Sequence, residues 1–223
     1  MKVSDVIATA RSCELSNLST SSFTDSRIIQ FINLGIIELS KRFVISTKAE
    51  KIKTSMYTSM YTLRSPDVIG ILEIYDKTGR ALVSQVLSDD EDYDYKLINN
   101  TTFLYKHKID YKTTEEVNPI TGIEILQYTQ EPDNELMVVY SAVADLVVNP
   151  TDDLTIPLVF MDPLMAYIGY KASHSITTQA QNGGGENLVS LNKFEASCRL
   201  LENSVYVGQT NLMSKSIQSK GFK

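Results

Sequence analysis

The stretch Asp25-Ser26-Arg27-Ile28-Ile29-Gln30-Phe31-Ile32-Asn33-Leu34-Gly35-Ile36-Ile37-Glu38-Leu39-Ser40-Lys41-Arg42-Phe43 decides how this chain folds. Ile28, Ile32, Ile36, Leu39 and Phe43 recur at three- and four-residue spacing, which places them on one face of a helix. Ile29 and Ile37 widen that face, so the pattern predicts a central core helix buried on more than one side. Thr24 stands where an N-cap belongs, and Asp25 puts an acid in the first turn, where the helix dipole favours it.

Helical periodicity returns only near the two ends of the chain. Val3 to about Arg11 reads as a short helix with Val6, Ile7 and Ala10 on one face, and a loop of Ser, Thr and Asn (Ser16 to Ser22) follows. Beyond the break at Asn149-Pro150, Ile156-Pro157 opens the last part. Leu164, Ile168, Ala172 and Ile176 step by four, which predicts a helix packed on one face. Leu188, Leu191, Phe194, Cys198, Leu201 and Val205 step by three and four without a miss. The loop Asn182-Gly183-Gly184-Gly185 joins these two segments as an antiparallel pair.

Between the ends the signal changes to strand. Thr and Tyr dominate around Met56-Tyr57, Met60-Tyr61 and Leu63, a composition that favours pleated structure. Ile69–Tyr75, the turn Asp76-Lys77-Thr78-Gly79-Arg80 and the return Ala81-Leu82-Val83 predict a β-hairpin, with glycine supplying positive φ. Thr101–Tyr105 and Glu135–Tyr140 are further strands, and Tyr111–Asn118, ahead of Pro119 and Gly122, reads as a loop or hairpin tip. The fold class is therefore α+β. Residues 1–45 and 150–208 supply an α-helical bundle, 46–149 a β-rich insertion, and 209–223 an extended tail too polar to fold alone.

Composition narrows function. A core is affordable with 43% hydrophobic and 22% charged residues. A net charge of −6 makes the average surface repel nucleic acid and anionic lipid. No apolar run approaches the roughly 18 residues of a membrane span, and the first residues lack a signal-peptide apolar block. Folding in cytoplasm follows as an expectation, and there Cys13 and Cys198 are expected to be buried thiols rather than a disulfide.

Candidate chemistry is sparse. Asp89-Asp90-Glu91-Asp92, with Asp94, offers carboxylates for a metal, yet calcium loops alternate their ligands around a turn glycine, and here there is none. A solvated loop fits better. His107 and His174 have no partner at zinc spacing, and Cys198 lies on an apolar helix face where thiols are inert. Glu186 occupies the place an anion would need after the glycines, so that loop is read as a connector. We therefore expect no catalytic residues, no metal and no cofactor. Tyr57, Tyr61, Tyr75, Tyr93, Tyr95, Tyr105, Tyr111, Tyr128 and Tyr140 suit a protein–protein surface, although strand propensity alone explains at least half of them. Lys215, Lys220, Phe222 and Lys223 make the tail a candidate partner-binding arm.

Three segments resemble the head-to-tail adaptor (connector) proteins of short-tailed bacteriophages. Val3-Ser4-Asp5-Val6-Ile7, through Phe23-Thr24-Asp25 and Ile32-Asn33, to Gly35-Ile36-Ile37-Glu38-Leu39 is similar to that family's opening. Leu154-Thr155-Ile156-Pro157 followed by Pro163-Leu164-Met165-Ala166-Tyr167-Ile168-Gly169-Tyr170 is similar to its Ile-Pro-then-helix segment. Asn192-Lys193-Phe194 resembles part of its last helix. Together these cover about half of the chain. The resemblance implies a twelvefold ring in the neck of a virion, docked on a portal protein above and a tail protein below. It also implies a central channel through which double-stranded DNA passes without specific binding, and no membrane partner. A tail completion or nozzle subunit is the alternative within particle proteins. A small metal-dependent nuclease or hydrolase built on the acidic cluster is the alternative among enzymes.

Overall fold

The computed structural model describes residues 1–16, 23–55, 57–85, 93–106, 116–117, 124–125, 135–177 and 184–203. The fold is α+β, and the chain forms two compact units, Met1–Thr47 with Ser141–Lys223, and Lys48–Tyr140.

The first unit is helical. Its elements are α1 (Val3–Ser12), α2 (Asp25–Arg42), α3 (Met161–Thr177) and α4 (Gly184–Glu202), with one 3-10 turn at Leu158–Phe160 before α3. The stripe on α2 is as its spacing predicts: Ile28, Ile32, Ile36 and Leu39 are fully buried, and Ile29 and Phe31 extend the buried face. Thr24 occupies the N-cap with extended backbone, yet its side chain makes no capping bond; its carbonyl takes the N–H of Arg27 and Ile28. Asp25 does more than meet the dipole, because it pairs with Arg11 of α1 at 2.6 Å.

The hub of this unit is α3 rather than α2. It packs against α1, α2 and α4, and Pro163, Leu164, Ala166, Tyr167, Ile168, Gly169 and Ala172 are all buried. A step of four marked one face, but small residues between the large ones let neighbours close in on the others. Two glycines set those approaches. A Cβ on Gly35 would stand 2.6 Å from Leu164 Cδ1 and 3.2 Å from Tyr167 Cδ1, so α2 crosses α3 at a point where no side chain fits. On Gly169 a Cβ would lie 2.9 Å from the Glu14 carboxylate, which itself pairs with Lys193 of α4. Tyr167 meets Phe194 of α4 edge-on at 5.1 Å. Arg42 lies over the Phe194 ring at 4.8 Å and reaches both oxygens of Glu195, at 2.8 and 2.7 Å.

The N-terminus of α1 is tied to the segment ahead of α3. Val3 and Ser4 donate their N–H groups to the carbonyls of Asp152 and Pro150, at 3.0 and 2.8 Å, and Leu154 donates to Met1 at 2.8 Å. These bonds satisfy donors that a helix start leaves open. Lys2 adds an ion pair to Asp153.

The second unit holds most of the strands. β1 (Ser46–Lys53), β8 (Glu135–Ala142) and β3 (Val68–Tyr75) form one sheet in the order β1-β8-β3. β2 (Met60–Thr62), β5 (Thr102–Tyr105) and β4 (Tyr95–Leu97) form a second, antiparallel sheet with Tyr61 opposite Phe103 and Tyr95 opposite Tyr105. β6 (Glu116–Val117) and β7 (Glu124–Ile125) pair as a short antiparallel rung. Part of the stretch expected as a loop or hairpin tip is thus paired strand; residues 111–115 and 118 lie outside the described residues. The predicted hairpin after Tyr75 is shorter than expected. Gly79 takes φ +82 as required, but Ala81 makes a single bridge to Tyr75 before the chain turns away to meet β4.

Asp76 holds that turn. Its carboxylate accepts from Thr78 Oγ1 at 2.5 Å, the Thr78 N–H at 2.8 Å and the Arg80 N–H at 3.1 Å. The Thr78 hydroxyl above all, with those amides, holds its pKa down to about 2.

Gly35→Ala gains about 1 kcal/mol of helix propensity but costs about 1–3 kcal/mol in overpacking, so a net loss is expected; Gly35→Leu, with nowhere to place its branch, unfolds the helical unit in chemical denaturation. The folded-state pKa of Asp76 is depressed, so its contribution is present above pH 4 or so and lost as pH falls through about 2. A carboxyl NMR titration should give a midpoint near that value, and Asp76→Asn should remove that one titration and its share of the acid-side loss of stability.

Candidate interaction surface

Several residues singled out by sequence fall outside the described residues: Asp89–Asp92, His107, the tail positions Lys215, Lys220, Phe222 and Lys223, and Val205. The described candidates take structural places. Asp94 is buried and accepts the Val83 N–H at 2.9 Å, which fastens the chain after the Asp76 turn. His174 sits exposed in the last turn of α3, its ring 6.1 Å from that of Tyr170. Cys198 is buried, and burial pushes its thiol up to about 11 despite the neighbouring Arg42 guanidinium. Cys13, expected to be buried, is exposed at the C-cap of α1, while Leu15 two residues on turns back into the core. Gly184 and Gly185, read as loop, form the first turn of α4. Among the described residues no group of three His, Cys, Asp or Glu side chains could hold a metal ion.

The tyrosines divide unevenly. Tyr61, Tyr95, Tyr105 and Tyr140 are buried in the second unit, and Tyr61 shows why a phenol suits that position: its ring lies against Phe103 at 5.8 Å while its hydroxyl accepts the Ser55 N–H at 2.9 Å. Tyr57, by contrast, is 90% exposed.

The sequence did not mark the surface that the helical unit presents. Asn33 of α2 reaches the segment after β8 and binds both backbone groups of Val147, donating to its carbonyl at 2.8 Å and accepting its N–H at 2.9 Å. Ser40 accepts the Ala144 N–H at 3.3 Å, and Asp152 accepts the N–H groups of Val148 and Asn149, each at 2.8 Å. Those two amides hold the Asp152 carboxyl below its ordinary range. With the Val147 side chain buried, its neighbours are turned outward: Leu146 is 49% and Val148 76% exposed. The pair is displayed on a fastened backbone, and exposing apolar side chains there is unfavourable unless something covers them.

A second apolar surface lies on α4. Its inner side carries Phe194, Cys198 and Leu201, all buried, with Leu191 half-buried beside them. Its outer side carries Val189 and Leu200, about three turns apart on one line, with Ala196 between them. Val189 is 69% and Leu200 73% exposed. Leu188, which periodicity assigned to the inner stripe, is exposed in the first turns. α4 therefore carries apolar residues on both its inner and its outer side.

No protein-family model matches this chain, and no curated protein matches its sequence.

The two thiols give a direct check on this arrangement. Ellman's reagent at pH 8 should titrate one thiol in the native protein, lost in Cys13→Ser, and two after denaturation. Rapid native labelling of Cys198 would mean that α4 does not seat on α2 and α3 as described.

Proposed function

We propose that this chain is a non-catalytic structural adaptor of a short-tailed phage particle, forming a ring between the portal protein and the tail around the DNA channel. The observation that carries the reading is that the helical unit leaves apolar side chains exposed on different elements, Leu146 with Val148 after β8, Val189 with Leu200 on α4, and Leu158 ahead of α3. A ring closes through heterologous contacts, in which two different patches of each copy must meet. One self-complementary patch would instead favour a twofold dimer.

Two further features support it. The described ionisable groups with shifted titration are engaged in turns, ion pairs and helix seams rather than gathered in a cleft. The net charge of −6 suits a channel wall along which DNA slides without sticking. The paired helices α3 and α4 favour an adaptor over a nozzle, which would carry more strand and less terminal helix pairing. In this reading the protein is made in the host cytoplasm and resides in the virion neck. In the same reading its tail, through Lys215, Lys220, Phe222 and Lys223, binds a partner of the ring.

The test mixes the purified chain with the portal of the same particle and images the product by electron microscopy. The expected result is a ring, twelvefold as the resemblance implies, seated on the portal. Lys215→Glu with Lys220→Glu and Phe222→Ala should weaken docking with melting unchanged. A chain that stays monomeric beside its portal would overturn the reading.

A further inference from the structure

The exposed apolar pairs of the helical unit, Leu146 with Val148 and Val189 with Leu200, differ in the charge around them. On α4, Lys193, which Glu14 pairs, and Arg199 share the outer side with Val189 and Leu200 by helical spacing. Around Leu146 and Val148 the sign is reversed. From Ser141 to Tyr170 the sequence holds no lysine or arginine, while Asp145, Asp152, Asp153 and Asp162 fall within it. Lys2 pairs with Asp153. Asp152 is different, because its hydrogen bonds at Asn149 and Val148 are to uncharged amides. Those amides hold its carboxyl below the ordinary range, so it stays ionised beside Val148. Asp145 is exposed next to Leu146.

Residues 204–223 have the complementary chemistry. They follow α4 directly and hold Lys215, Lys220 and Lys223 with no acid, and Ile217 and Phe222 stand among those lysines. Residues 163–185 are also free of acid, but they carry one lysine, Lys171. Reach is ample, since an extended chain gains about 3.3 Å per residue and a segment of this length spans on the order of 60 Å. A segment too polar to fold alone can be ordered by a surface that is already rigid. The backbone from Ala144 to Asn149 is such a surface, fixed by Ser40, Asn33 and Asp152.

We propose that residues 204–223 of one copy lie across Leu146 and Val148 of the next, with Ile217 and Phe222 on the apolar pair and the lysines toward Asp145 and Asp152. The inference rests on the ring reading and deepens it, since it names the surface that receives the tail. Each copy then carries one donor and one different acceptor, which is what a closing series of heterologous contacts requires. Charge selects the acceptor: the lysines are repelled by the basic outer side of α4 and drawn to the acidic surface. Burial of the apolar pair supplies the affinity.

The experiment uses the full chain and a fluorescein-labelled peptide of residues 204–223. The peptide is titrated, by anisotropy, into the chain carrying Lys215→Glu, Lys220→Glu and Phe222→Ala, whose own tail no longer competes. Saturable binding is expected, weakened by high salt and lowered about tenfold by adding Leu146→Ser with Val148→Ser. Those two positions are exposed, so the monomer's melting temperature should not change. In the second arm the tail variant and the Leu146→Ser/Val148→Ser variant should each lower ring yield on the portal, and their combination should be no worse than either alone. Rings without peptide binding, peptide binding indifferent to Leu146→Ser/Val148→Ser, or losses of ring yield that add would each overturn this inference and leave the adaptor reading standing. A lower melting temperature in the monomeric tail variant would do the same, because the tail would then lie on its own copy. Peptide binding as expected without any ring would sustain the contact and overturn the ring, and absence of both would overturn both.

Discussion

The close crossing of α2 and α3 at Gly35 is the constraint on which the helical unit depends. A helix interior disfavours glycine by about 1 kcal/mol, and that cost is accepted here because Leu164 and Tyr167 need the space. Ile32, Ile36 and Leu39 of α2 are fully buried around this crossing, and α3 receives α4 through Tyr167 and Phe194. The same turn of α2 carries Asn33, whose amide fastens Val147. Ile32-Asn33-Leu34-Gly35 therefore joins core, clamp and crossing within one turn of helix.

Much of this was legible in the amino-acid order. The stripes on α1 and α2, the strand from Val68 to Tyr75 and the glycine turn after it follow from period and turn chemistry. The missing parts share a cause. β1 was not seen because Ser46–Lys53 is a polar edge strand with no buried face to write an alternation. The central role of α3 was hidden because small residues, Ala166, Gly169 and Ala172, do not register as a second apolar face, yet they are what lets neighbours approach. The outer stripe of α4 was masked by the stronger inner one. Surface function was least legible of all, since Leu146 and Val148 acquire meaning only when a distant Asn33 fixes the backbone between them.

Asp94, which the sequence offers beside the acidic cluster as a candidate ligand, is spent on the Val83 amide, and Asp76 holds the amides of its own turn. The one buried thiol is held protonated by its surroundings. Leu146, Val148, Val189 and Leu200, by contrast, keep their apolar side chains exposed.

The bonds from Val3 and Ser4 to Asp152 and Pro150 impose an order on folding as the chain is made. Residues 1–47 cannot close their core until the chain has been extended beyond position 154 and α3 has emerged, whereas Lys48–Tyr140 meets its own partners sooner. The inserted unit is thus free to collapse first on the ribosome, while α1 and α2 wait with their apolar faces uncovered. A nascent chain stalled before α3 would be the species that chaperones hold.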